Sequence, residues 1–193
     1  MKALCVFCGS SAGARASYAV AAEALAAELA SRRIALVYGG GNIGLMSILA
    51  DAAIARGVHV TGVIPRGLAD KELAHHGVHD LRIVDSMHSR KALMAELSEG
   101  FVALPGGIGT FEEWFEMLTW TQLGIQRKPC GLLDVDGYYS DLLALLDRSV
   151  AEGFLKPRHR ASVKVAASAA ELVDALESWQ PHAEPAVLGK LQA

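Results

Sequence analysis

Residues 34–57 read IALVYGGGNIGLMSILADAAIARG, and this stretch decides the fold. Its first five residues are apolar or aromatic, as in a strand buried on both faces, and Gly39, Gly40, Gly41 and Asn42 then break the run. A helix is predicted over 44–56, ended by Gly57, a residue free to take the left-handed conformation on which helices commonly close. The uncharged run 34–50 is interrupted by glycines, so it reads as strand plus loop and not as a membrane span. Upstream, a strand is predicted over 4–7, followed by a helix in which Tyr18, Ala22, Leu25 and Leu29 form one apolar stripe. Downstream, a strand over 58–64 is closed by Pro65. Strands alternating with helices in this way build a parallel sheet, and the chain reads as an α/β, Rossmann-like doubly wound fold.

The alternation continues. Strands are predicted over 81–84, 101–104, 129–133 and 162–165, with helices over 87–98, 139–151 and 169–179. A further helix opens at Thr110, with Phe111, Trp114, Phe115 and Leu118 on one face. Between 66 and 80 no apolar period defines an element, and a loop of that length inside a compact domain is usually functional. The 193 residues suffice for one core. A single domain is expected over 1–179, with a tail over 180–193.

Composition excludes several classes. With 52% hydrophobic and 20% charged residues the chain is globular, and a formal net charge of −3 leaves no basic field for nucleic acid or an anionic membrane. The apolar run 3–8 is shorter than a secretory core, so the protein is expected in the cytoplasm. Cys5 and Cys8 have CxxC spacing, but positions three apart in a strand face opposite ways, which suits buried thiols better than a dithiol or metal corner.

Ligands of open parallel sheets bind beyond the carboxyl ends of the strands. Three glycine-rich loops are expected there. One carries Gly9 and Ser10, one Gly40 and Gly41, and one Gly106, Gly107, Gly109 and Thr110. Each feeds a helix N-terminus, where bare amides and partial positive charge favour an anion, and together they describe a phosphate cradle. Neither GxxxxGK[ST] nor a GxGxxG after the first strand is present, so a Walker ATPase and an ordinary NAD dehydrogenase are not indicated, and no cofactor is expected.

Glu113 lies three residues after Thr110. The pair fits a capping box, but a carboxylate beside a phosphate loop also suits chemistry on the phosphate's own sugar; residue chemistry alone leaves both open. Arg90 and Lys91 sit near the start of a predicted helix, where adjacent cations oppose the macrodipole unless something anionic is near. His75, His76 and His79 share the long loop without a carboxylate or thiolate at ligand spacing, and no metal is expected.

These motifs are recognisable together. PGGIGTFEE at 105–113 resembles the PGGxGTxxE signature of the LONELY GUY (LOG) family of cytokinin riboside 5′-monophosphate phosphoribohydrolases. The likeness extends through CVFCGSS at 5–11, YGGGNIGLM at 38–46, MHSRK at 87–91, TWTQLGIQRKP at 119–129 and GYY at 137–139. It departs at Ser47, where relatives often carry glycine, and in the histidine-rich loop around Glu72. The resemblance implies hydrolysis of the N-glycosidic bond of an adenine-type nucleotide, releasing base and ribose 5-phosphate. It implies Arg90 and Glu113 as the catalytic pair, Lys91, Gly106, Gly107, Gly109 and Thr110 as substrate contacts, Glu72 near the pocket, and a homodimer. The competing expectations are an AMP nucleosidase without a cytokinin role and a non-catalytic carrier of a nucleotide or of molybdenum cofactor on the same scaffold. Relatives labelled lysine decarboxylases lend no pyridoxal phosphate site to this sequence.

Overall fold

The structure is a computed structural model that describes residues 1–69 and 73–181. Seven parallel strands form one sheet in the order β4-β3-β2-β1-β5-β6-β7. They are β1 (Ala3–Phe7), β2 (Ala35–Tyr38), β3 (Val60–Pro65), β4 (Asp80–Val84), β5 (Phe101–Ala103), β6 (Cys130–Leu133) and β7 (Val163–Ala166). The helices are α1 (Ala16–Arg32), α2 (Gly44–Ala55), α3 (Arg66–Leu68), α4 (Met87–Glu96), α5 (Ile108–Leu123), α6 (Ser140–Ala151), α7 (Pro157–Ser162) and α8 (Ala169–Glu177), with a 3-10 turn at Val135–Gly137.

The period of two in a strand splits the core into halves. Leu4 and Val6 of β1 face α1, α2 and α8, packing with Leu25, Leu29, Leu49 and Leu172. Cys5 and Phe7 face the other way, toward Met94 of α4 and Trp114 and Met117 of α5. This doubly wound arrangement is the one expected from the alternating pattern. Cys5 and Cys8 fall in opposite halves, and both are free and buried. Among the described residues no helix is long and apolar enough to cross a membrane.

Winding direction reverses at β1. Strands β2 to β4 are laid down on one side of it and β5 to β7 on the other, so α1 and α5 leave neighbouring strands on opposite faces. The loops after β1 and β5 therefore diverge and leave a crevice at the carboxyl edge, the usual ligand position in such sheets.

Three expectations need correction. The segment 66–80 is not without structure: Arg66–Leu68 forms the short α3, Ala74 bridges Gly41, and Asp80 already belongs to β4. The last helix ends at Glu177, two residues early. Helix α5 begins at Ile108 with Gly107 as its N-cap, so Thr110 lies inside the first turn and not at the cap. The expected tail falls almost wholly beyond the described residues.

Candidate active site

The glycine loops meet at the carboxyl edge. The Gly9 amide donates to the Pro105 carbonyl at 3.1 Å, joining the loops after β1 and β5. The Leu45 amide donates to the Gly9 carbonyl at 3.1 Å, joining the loops after β1 and β2. Contact between these last two requires glycine at 44: its φ is +58°, and a Cβ there would lie 2.3 Å from the Ser10 carbonyl carbon. Gly9, Ser10, Gly40, Gly41, Gly106 and Gly107 are thus brought to one edge. No side chain caps α5, so the amides of Ile108, Gly109 and Thr110 have no acceptor within the helix. Their dipole favours an anion at this point.

Arg90 and Glu113 close the site from the other side. The Ser86 hydroxyl caps α4 by accepting from the Ser89 amide at 3.0 Å, which fixes the turn that carries Arg90. Trp114, buried in the core, donates its indole N–H to the Gly131 carbonyl at 3.0 Å and locks α5 against β6. Between them, Arg90 Nη1 donates to Glu113 Oε1 at 2.6 Å. Its Nε donates to the Val63 carbonyl at 2.9 Å and its Nη2 to the Gly39 carbonyl at 3.2 Å. Gly39 is obligatory for this approach, because a Cβ would stand 2.1 Å from Nη2. Both charged residues are only 8% exposed.

That geometry removes one of the two alternatives for Glu113. Its carboxylate engages Arg90 on a neighbouring helix and caps no backbone amide, so the capping-box expectation is overturned. Burial pushes its pKa above the ordinary glutamate value, and the Arg90 charge opposes the rise without cancelling it.

Lys91 points elsewhere. Adjacent helical residues diverge by roughly 100°, and its ammonium pairs with Glu112 and with Glu116, the latter at 2.9 Å. Burial works to lower its pKa, but the two carboxylates outweigh it and hold the ammonium above its usual value. The anions that offset the two cations at the start of α4 are thus side chains of α5. Sequence reasoning missed Glu112 and Glu116 in this role, although their i, i+4 spacing on one predicted helix was the available signal.

The histidines divide. His75 is buried, with Nε2 2.9 Å from Asp51 Oδ1, and its Nδ1 accepts from the Gly77 amide at 3.1 Å. Its own amide donates to the Gly40 carbonyl at 2.9 Å, so it fastens the segment after α3 onto the second glycine loop. His79 accepts from the Val60 amide and lies against His59. Among the described residues no three metal-ligating side chains converge. Glu72 lies outside the described residues.

Known proteins resemble this chain in sequence and in fold. A family profile described as "possible lysine decarboxylase" matches residues 46–176. An Arabidopsis thaliana protein named cytokinin riboside 5′-monophosphate phosphoribohydrolase is 52% identical over 95% of this chain and 86% of its own. A second from the same plant is 51% identical over 93% and 83%. A rice protein named as a probable enzyme of the same kind is 53% identical over 92% and 78%. In fold, the chain resembles a molybdenum cofactor binding protein from Rippkaea orientalis, with TM-score 0.70 at 20% identity, covering 92% of this chain and 97% of that one. The molybdenum cofactor carrier protein of Chlamydomonas reinhardtii gives 0.69 at 23%, covering 91% and 96%. At identities this low the structural likeness speaks for the fold, whereas half-identity along nearly the whole chain speaks for kinship, and this chain belongs to the LONELY GUY family.

Proposed function

We propose that the protein hydrolyses the N-glycosidic bond of adenine-type, cytokinin nucleoside 5′-monophosphates, releasing the free base and ribose 5-phosphate. The observation that carries this reading is the buried Glu113 carboxylate, held by Arg90 at 2.6 Å beside the converging glycine loops. The names of the half-identical relatives supply the substrate class.

In this reading the phosphate sits on the free amides at the start of α5 and the ribose is turned toward Glu113. As the bond from C1′ to the purine nitrogen breaks, its electron pair leaves with the base and positive charge develops on the ribose. An ionised Glu113 stabilises that charge and takes a proton from the water that adds to C1′, while the departing purine takes up one proton from solvent, so that one water is divided between ribose and base. A guanidinium is too weak an acid to protonate the leaving purine, so the role left to Arg90 is to orient Glu113 and bind anionic substrate.

A lysine decarboxylase is disfavoured at Lys91. Schiff-base chemistry needs an amine that can lose its proton, and Glu112 and Glu116 hold this one charged. The carrier alternative gives the buried Arg90–Glu113 pair no chemistry to perform. The same reading makes the protein a cytoplasmic homodimer. Its buried free cysteines suit a reducing compartment, and the exposed Leu145 and Phe154 suit a contact between copies. Light scattering should then give a mass near twice 20.4 kDa, and a clean monomer at micromolar concentration would remove the dimer.

The test of function is to incubate the protein with isopentenyladenosine monophosphate and with AMP and measure free base. Release from the isopentenyl nucleotide is expected. Release from AMP alone would make the protein an AMP nucleosidase, and release from neither would overturn the reading.

A further inference from the structure

Two adjacent tyrosines hold the loop after β5. Tyr139, buried, donates its hydroxyl to the Leu104 carbonyl at 2.7 Å. Tyr138 donates to the Gly106 carbonyl at 2.5 Å, so the pair grips the chain on either side of Pro105. The turn that presents them is itself anchored. The Asp134 carboxylate accepts from the Tyr139 amide at 2.7 Å, and the Asp136 carboxylate accepts from the Ser17 hydroxyl at 2.6 Å. Asp136 holds a left-handed backbone at φ 53°, a strained state for a residue with a side chain. The Tyr138 ring is fixed by contacts with Tyr18, Phe111 and Tyr139, with centroids 5.7, 6.5 and 5.1 Å away.

We propose that Tyr138 is a positioning residue for the phosphate seat: by holding the Gly106 carbonyl it aims the Gly107 amide at the anion. In a trans peptide the carbonyl and the following N–H point in opposite directions, and no peptide bond among the described residues is cis. Tyr138 draws the Gly106 carbonyl toward the turn after β6, which is itself anchored on Ser17 of α1. The Gly107 amide, on the opposite side of that peptide, therefore points away from the Tyr138 hydroxyl. Gly107 is the N-cap of α5, so its amide adds to the free amides of Ile108, Gly109 and Thr110. Gly106 is half-buried, and water can satisfy its carbonyl when the hydroxyl is removed.

The inference rests on the reading of the glycine loops as a phosphate seat, and its test does not depend on turnover. Tyr138→Phe deletes the hydroxyl and keeps the ring. Calorimetric titration with inorganic phosphate should give binding about tenfold weaker than in the parent protein, the effect of losing one well-aimed donor to an anion. Calorimetric binding of ribose 5-phosphate should weaken by the same factor while binding of free adenine stays unchanged. In the parent protein, phosphate should shift the Gly107 amide resonance, a measurement that stands even where the variant fails to fold. Unchanged phosphate affinity in the variant, equal weakening toward phosphate and adenine, or a Gly107 resonance indifferent to phosphate would each overturn the proposal. A protein that seats phosphate through Tyr138 yet cleaves no nucleotide would overturn the hydrolase reading alone.

Discussion

Arg90 and Glu113 stand on different helices, yet their side chains meet at 2.6 Å over the carboxyl edge of the sheet, with both charges withdrawn from solvent. The pair joins α4 to α5, and through the Gly39 and Val63 carbonyls Arg90 also grips the ends of β2 and β3. Chemistry and architecture therefore share one guanidinium.

Glu113→Gln retains the shape and an amide oxygen that can accept from Arg90, while the charge is lost. The variant should fold normally and turn over about 10² times more slowly, a typical effect of removing one electrostatic stabiliser. Near-parental turnover in a steady-state assay would remove Glu113 from the chemistry.

Arg90→Ala is expected to differ in kind. It leaves the buried Glu113 carboxylate without a partner and two backbone carbonyls short of a donor, so it should destabilise the fold by about 3 kcal/mol as well as abolish activity. Thermal unfolding of the variant would show this as a lower melting temperature. A variant with the parental melting curve would contradict the structural half of the account.

The pH profile follows from the direction of the Glu113 shift. Burial raises this carboxyl's pKa, and hydrolysis needs it ionised, so kcat/KM should fall toward acid with its limb displaced above the ordinary glutamate range. In Glu113→Gln that limb should vanish. A limb that persists there belongs to another group.

Gly44→Ala tests the junction of the first two glycine loops. A methyl at a φ of +58°, 2.3 Å from the Ser10 carbonyl carbon, strains the backbone and pushes the loops apart. A stability loss of about 1–3 kcal/mol is expected, with a larger proportional loss of activity, because the displaced segments frame the site. Calorimetry and a kinetic assay on the same sample separate the two effects.

The parallel sheet was legible because strand and helix patterns alternate cleanly, as in the 34–57 segment, and because glycine loops sit where strands end. The ion pairs were less legible. The sequence places Arg90 and Lys91 side by side but does not say that α4 and α5 pack on the same face of the sheet, which sends Arg90 to Glu113 and Lys91 to Glu112 and Glu116. The capping box at Thr110 misled because it is a purely local pattern. The helix starts earlier, at Ile108, and the Glu113 carboxylate finds a better partner across space. His75 reads as part of a bare histidine cluster until Asp51 of α2 is brought beside it.

The central claim is that the loops hold a 5′-phosphate and use its binding to orient the sugar against Glu113. The most direct measurement compares kcat/KM for isopentenyladenosine monophosphate with that for isopentenyladenosine. Binding energy from a remote group can be used in the transition state, so the riboside should lose turnover as well as affinity. A drop of at least roughly 10³ is predicted, equivalent to about 4 kcal/mol of transition-state stabilisation. Similar efficiency on the two substrates would contradict the account and strip Gly106, Gly107, Gly109 and Thr110 of their proposed role as phosphate ligands.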